Sequence, residues 1–564
     1  MASKIFMGNM PELMEKILNN LENEIRSLYS CALVSRHWCE MSIPIIWRDP
    51  FSFQVFKPMF ISIYISSFED PEDDVKSILK EYGININFQK PLFHYVRFLE
   101  ILNLGCLNYG VDCWISSHLQ DEEQDIEQLK FHVANLLLKI FIKDGVTLSE
   151  LELNSLNDFI EIKPEIFYLL EQNINFFSRI HVLSISLTAL KELKYDYNFE
   201  FIYESYCKVL VKILKILARS VTKITNMRVA LYDSDYLPQL CHELAFIIKS
   251  QEHLKYFKLA CKLDRRPWEL YGIVLALKSQ KETLEGIMIE GCACSTEFEA
   301  LRDCENLKAI RIYHCSNTIF TTFNSKISIL EVDTSGLYNA SGLVQILEKS
   351  GSSLQRFKLN DENSYFNDED DEDNYSMFKF NKKGSLIKSQ SLLLETLMTS
   401  CPNIVYLSIL GIVKYSTHIL KLLSSLQKLQ FLTISWNDEF DDESESEEKE
   451  KKMKACAKQF AEILPPTLQY LDLSKLYLDS HVNILLDHCD APLKKLSINL
   501  PSHNEGETIN AIIRFCIRKK TPNFVSVNER GGWRNIKNFE KDLERYVKVV
   551  SYYSFVVSCS HLSY

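Results

Sequence analysis

Apolar positions recur along most of this chain in one short frame. Leu284, Ile287 and Ile289 are followed by Cys292; Leu307, Ile310 and Ile312 by Cys315; Leu429, Leu432 and Ile434 by Asn437. Looser copies, without the closing Asn or Cys, begin at Leu148, Ile180, Ile224, Leu254, Ile327, Leu354, Ile404, Leu468 and Leu493. From Leu284 to Leu354 successive starts lie 23, 20 and 27 residues apart. That period fits a solenoid in which each repeat supplies one strand and one return segment, because a single repeat cannot bury its own apolar face. Wider steps coincide with acidic inserts near 361–375 and 437–452, and inserts on a solenoid map to loops. Strand side chains alternate, so residues between the frame positions project from a concave sheet face. These are Tyr256, Lys258, Met288, Glu290, Arg311, Tyr313, Glu331, Asp333, Arg356, Lys358, Tyr406, Phe431, Tyr470 and Asp472. Aromatic and charged residues in such a mixture suit protein recognition. Arg311, Arg356 and Lys358 are also candidates for a phosphate-binding basic spot, provided they converge.

The N-terminal pattern differs. Asn9, Pro11 and Glu12 form a helix start, with a capping side chain, a proline in the first turn and an acid near the positive dipole end. Leu13, Ile17 and Leu21 follow at helical spacing, widened by Met14 and Leu18. Asn19, Asn20 and Asn23 end that helix. A second helix carries Leu28, Cys31, Ala32 and Leu33. Ser35 caps a third holding Trp38 and Met41, which is expected to break at Pro44. Three such helices cannot bury their apolar faces alone, so the module needs a partner surface or the rest of the chain. Segments 91–102 and 126–141 read as further amphipathic helices, and the end of the chain reads as a turn, a helix and an apolar strand that cap the last repeat.

Met10-Pro11-Glu12-Leu13, Ile17-Leu18, Leu33-Val34-Ser35-Arg36 with Trp38, and finally Trp47 together resemble an F-box. Met10 and Ile46 stand where that family has leucine, and both changes keep volume and apolarity. The repeated frame is similar to the leucine-rich-repeat core, so the whole resembles the F-box/leucine-rich-repeat class, including large fungal families. The resemblance implies an α/β architecture: an F-box over 1–50, a helical connector over 51–145, a leucine-rich-repeat solenoid over 146–520 and a cap over 521–564. The sheet would line the concave face and helices the convex face. It implies a non-catalytic substrate adaptor of an SCF-type (cullin–RING) ubiquitin ligase. Pro11, Leu13, Ile17, Leu18, Leu33, Val34 and Trp38 would contact a Skp-family adaptor, and the repeats would hold a protein substrate. A non-degradative interaction scaffold is the alternative.

Charge and composition narrow this picture further. The net charge is −12, but residues 368–373 carry −6 and residues 438–452 another −6, which leaves the remainder neutral. No basic stripe marks a nucleic-acid footprint. No stretch reaches eighteen apolar residues, and no signal-like N-terminus is present, so the expectation is a cytoplasmic or nuclear protein with reduced thiols. Cys31, His37 and Cys39 lack zinc spacing. Cys292 and Cys315 sit at the repeat's own turn position, and Cys294 and Cys304 are expected to be buried thiols. Phosphate-loop, dinucleotide, zinc-protease and nucleophile-elbow motifs are missing from the sequence. No metal or cofactor is expected, and an enzyme is not.

Overall fold

The computed structural model describes residues 11–22, 24–52, 57–67, 75–84, 91–119, 126–154, 161–187, 199–232, 235–262, 270–292, 296–315, 317–334, 340–361, 376–412, 417–436, 447–474, 481–500, 505–529 and 541–550. Asn9, Met10, Cys294, Asn437, the inserts at 362–375 and 437–446, and the apolar strand expected after 550 lie outside them. Contacts divide the chain into two compact units, residues 1–284 and 285–564.

The first unit opens with α1 (Pro11–Asn19), α2 (Ile25–Ala32) and α3 (Arg36–Ile46). Ser35 is extended, and its Oγ accepts the Trp38 N–H at 3.3 Å, as an N-cap should. α3 does not break at Pro44. The proline sits in the last turn, where the helix has little left to lose, and the Trp47 N–H still reaches the Ile43 carbonyl at 3.0 Å. Met14, Leu18, Leu28 and Ile46 form the interior of this module.

Trp47 fastens the module to the segments after it. Its ring lies 4.6 Å from Phe60, 5.2 Å from Tyr64 and 4.1 Å from Tyr95, centroid to centroid. The next carbonyl, that of Arg48, accepts N–H groups from both Glu100 and Ile101, at 3.0 and 3.1 Å. Those residues open β1 (Ile101–Asn103), which pairs in parallel with β2 (Glu150–Asn154). β3 (Val182–Ser186), β4 (Asn226–Tyr232) and β5 (Tyr256–Lys262) continue the stack in chain order. Segment 91–102 is therefore not a helix: a 3-10 turn over Tyr95–Phe98 precedes β1. Leu99, Leu102 and Leu104 repeat the apolar frame inside the stretch read as a helical connector.

Among the described residues, the second unit holds ten strands in unbroken parallel order. They are β6 (Gly286–Glu290), β7 (Ala309–Tyr313), β8 (Ile329–Thr334), β9 (Arg356–Asp361), β10 (Tyr406–Ile412), β11 (Phe431–Trp436), β12 (Tyr470–Leu473), β13 (Lys495–Leu500), β14 (Phe524–Glu529) and β15 (Lys548–Val549). All twelve apolar frames coincide with strands, β2 to β13. β14 and β15 extend the same stack beyond residue 520, into the stretch read as a cap. Helices or 3-10 turns return the chain between strands, and successive helices pack on one another. The frame side chains, such as Leu330, Val332, Leu407 and Leu432, are buried against them. This parallel order with one-sided helices is what right-handed strand–crossover–strand connections produce.

One bond pattern repeats at nearly every rung. The carbonyl of the residue just after the first frame position accepts two consecutive N–H groups from the next repeat. Glu285 receives Lys308 and Ala309 at 2.8 and 3.1 Å, and Lys308 in turn receives Ser328 and Ile329 at 2.8 and 3.0 Å. Trp47-Arg48 occupies the corresponding place before β1, so the helical module ends as the first rung.

Two buried glutamines make a second set of links in the first unit. Gln251 Oε1 accepts the Ile224 N–H at 2.8 Å while its Nε2 donates to the Val221 and Ile247 carbonyls. Gln280 does the same one repeat later, accepting from Leu254 N at 3.3 Å and donating to the carbonyls of Ile248 and Gln251 at 3.0 and 2.8 Å. Each satisfies helix-end carbonyls and a strand-entry N–H that have no access to water. Gln280→Leu should therefore destabilise the first unit by about 2–4 kcal/mol, because it orphans three backbone groups. Urea unfolding would show this as a lower midpoint with an unchanged slope.

Candidate protein-interaction site

Two surfaces stand out. The first is on the N-terminal module. Leu13 and Ile17 lie one turn apart on α1 and are 39% and 42% exposed. Leu33 and Val34, in the turn between α2 and α3, are 87% and 64% exposed. Trp38 is half-buried. Leu18 is a correction: it shares a face with Met14, four residues earlier, and both are fully buried in the module, so Leu18 is core. The Pro11 side chain lies outside the described residues. Four large apolar side chains left to solvent in twenty-two residues need a cover, since exposed apolar surface of this density marks an interaction site.

The second kind of surface, found on each unit, is the sheet face away from the helices. On β5, Tyr256 and Lys258 are half-exposed. On the second unit, Met288, Glu290, Arg311, Tyr313, Arg356, Lys358, Tyr406 and Phe431 are all partly open. Register lines several of them up. Arg356 lies beside Tyr406, and its guanidinium sits 3.8 Å from that ring's centroid. Tyr406 stacks on Phe431 at 6.1 Å, and Phe431 meets Tyr470 at 5.8 Å. Such contacts hold planar side chains in place at little entropic cost.

The basic residues do converge, but on a carboxylate. Arg356 Nε reaches Glu331 Oε1 at 2.6 Å, Arg311 Nε lies 3.4 Å from Glu331 Oε2, and the Tyr313 hydroxyl donates to Oε2 at 2.7 Å. Burial raises the Glu331 pKa, yet Arg356, the Tyr313 bond and Arg311 together bring it below the usual carboxylate range. The phosphate spot expected from sequence is thus already filled by an acid. Tyr313 is pushed well above its ordinary value by burial and then by Glu331.

Tyr470 and Asp472 are corrections as well. They project from this face but are only 4% and 2% exposed. Phe431 and Val550 pack against Tyr470, so neither residue presents a free surface.

The cysteines belong to the repeat. The Cys315 thiol reaches back to the Ile289 carbonyl of the preceding coil at 3.7 Å and to Tyr313 at 3.3 Å; Cys292 reaches Glu290 at 3.5 Å. Gly291 and His314, at φ +68° and +53°, make the left-handed step that turns each thiol inward. Cys304 is fully buried, and burial pushes its thiol up to about 11. Among the described residues, no group of three or more His, Cys, Asp or Glu is placed to hold a metal. No helix among them is long and apolar enough to cross a membrane.

Glu331→Gln tests the charged hub. It leaves two half-buried arginines facing a neutral amide and should cost about 2–4 kcal/mol at pH 7. Because the folded-state pKa is depressed, the carboxylate's contribution is complete above the unfolded value. It is lost as pH falls through the folded one. The wild-type and mutant urea midpoints should therefore converge in acid.

The family described as F-box-like matches residues 11–52. No curated protein sequence matches the chain. A solved structure of the Rad7 and Elc1 complex in yeast is similar at 12% identity, covering 74% of this chain and 88% of that one, with a TM-score of 0.34. Residues 11–52 thus match the F-box-like family, and stacked parallel strand–helix repeats follow them.

Proposed function

We propose that this chain is the substrate-recognition adaptor of an SCF-type (cullin–RING) ubiquitin ligase. Its F-box-like helices would bind a Skp-family adaptor, and the open sheet face would bind a protein destined for ubiquitin transfer. The observation that carries this reading is the pairing of the F-box-like match with Leu13, Ile17, Leu33 and Val34 left exposed on that domain. Burying a fully exposed side chain of this kind is worth about 1.5–3 kcal/mol; Leu33 and Val34 retain most of that exposure, and Leu13 and Ile17 somewhat under half. The chain supplies no chemistry in this scheme. It holds a substrate lysine near a charged conjugating enzyme, which raises the effective concentration of the two reactants. The seating of Trp47 and Arg48 in the first rung supports the role, because it ties the docking helices to the strands of the first unit without a flexible joint.

Co-purification with a Skp-family adaptor tests the proposal. Leu33→Asp and Val34→Asp alter solvent-exposed positions, so circular dichroism should match wild type. Loss of an anchor should cost about 2 kcal/mol or more, roughly thirtyfold in affinity. A folded wild-type chain that captures no adaptor would sink the reading. If the adaptor binds, ubiquitin transfer to a protein captured on the repeats separates a ligase receptor from a scaffold.

A further inference from the structure

The open face of the second unit is not uniform. Along the middle row of side chains, Met288, Arg311, Lys358 and Thr433 on β6, β7, β9 and β11 are half-exposed, whereas Glu331 on β8 and Ser408 on β10 are 5% and 2% exposed. On β12, β13 and β14 the same row is Asp472, Ser497 and Ser526, which are register partners. These are 2%, 0% and 0% exposed, although they alternate with Leu471, Leu496 and Val525, which fill the core on the other side. Ser497 Oγ and Ser526 Oγ are buried without a hydrogen-bond partner among the described residues. Three adjacent buried polar residues on the side away from the helices point to a cover over this end of the face.

Val550 says where it comes from. Its N–H bonds the Val525 carbonyl at 3.0 Å, continuing β15, yet its side chain packs with Phe431 on Tyr470. Tyr470 stands on β12, three strands back, about 14 Å away across a sheet. Val550, the last described residue, thus has its side chain over the face. Residues 551–564 come next, SYYSFVVSCSHLSY, without one Asp, Glu, Lys or Arg. Such a segment left in water would be an aggregation hazard. Fourteen extended residues reach about 46–50 Å, whereas crossing from β15 to β11 needs only about 19 Å.

We propose that the sheet face of β11 to β14, buried along its middle row from Asp472 to Ser526, is the docking site of residues 551–564. Its aromatic and aliphatic residues match Phe431, Tyr470 and Phe524, a row that Lys495 interrupts between Tyr470 and Phe524. Its serine and tyrosine hydroxyls suit the uncharged Ser497 and Ser526. The segment thus divides the face into a charged part at β6 to β9, open to a partner, and a part at β11 to β14 that a partner enters only by displacing the tail. The inference does not depend on the ligase reading.

Hydrogen exchange on the full-length protein tests it first. The amides of 551–564 should be protected at least about tenfold in wild type; exchange at the rate of an unstructured peptide would overturn the proposal. The second arm is full-length Phe555→Asp/Val557→Asp, which places charge in the tail and leaves the repeats untouched. Exchange should rise in peptides covering 470–474, 495–500 and 524–529 but not in 286–290 or 309–313. A synthetic peptide of residues 551–564 should bind this variant at least about tenfold more tightly than wild type, since a tethered tail competes at roughly millimolar effective concentration. Equal peptide binding and equal exchange in the two proteins would overturn the proposal. So would protection that appears only as the protein dimerises with concentration, which would place the tail on a second copy.

Discussion

The carbonyl that accepts two N–H groups from the next repeat is the constraint on which everything else here depends. A parallel strand pair can hold its register only if each strand enters the sheet at the same height as its neighbour. The doubly used carbonyl sets that height, from Arg48 to Thr225 in the first unit and from Glu285 to Lys494 in the second. The first frame position then falls on the core side every time. Loops between rungs are free to vary, and this chain uses that freedom with returns that range from 3-10 turns to a helix at Ser376–Ser400.

That constraint also explains how a small helical module stays useful. A three-helix unit cannot bury all its apolar surface, and here the burden is divided. Met14, Leu18, Leu28 and Ile46 are turned inward, Trp47 is given to the first rung, and Leu13, Ile17, Leu33 and Val34 are left exposed. The sheet face shows a comparable division. Glu331 pairs with both Arg311 and Arg356, while Lys358 stands beside them at a half-open position.

Much of this was legible in the residues. Each apolar frame became a strand because alternation and burial against a return segment leave such a sequence little choice. The frame at Leu99, Leu102 and Leu104 was there to be read, but its neighbours Phe93, Tyr95 and Phe98 imitate a helical stripe. Pro44 was read as a stop because proline removes one helical bond, and in a last turn that bond matters little. The buried Gln251 and Gln280 had no sequence signal, since glutamine is ordinarily a surface residue.

What the sequence determined by itself is local: frame, strand, cap and the F-box wording, all set by contacts within a few residues. Only the tertiary structure decided which outward-pointing side chains are truly open. Arg311 and Arg356 look like a basic spot until Glu331, from a different repeat, is seen between them. Tyr470 and Asp472 look like recognition residues until Val550 is found lying against that face. Exposure is a property of what lies across from a residue, and in a stack of repeats that neighbour is tens of residues away along the chain.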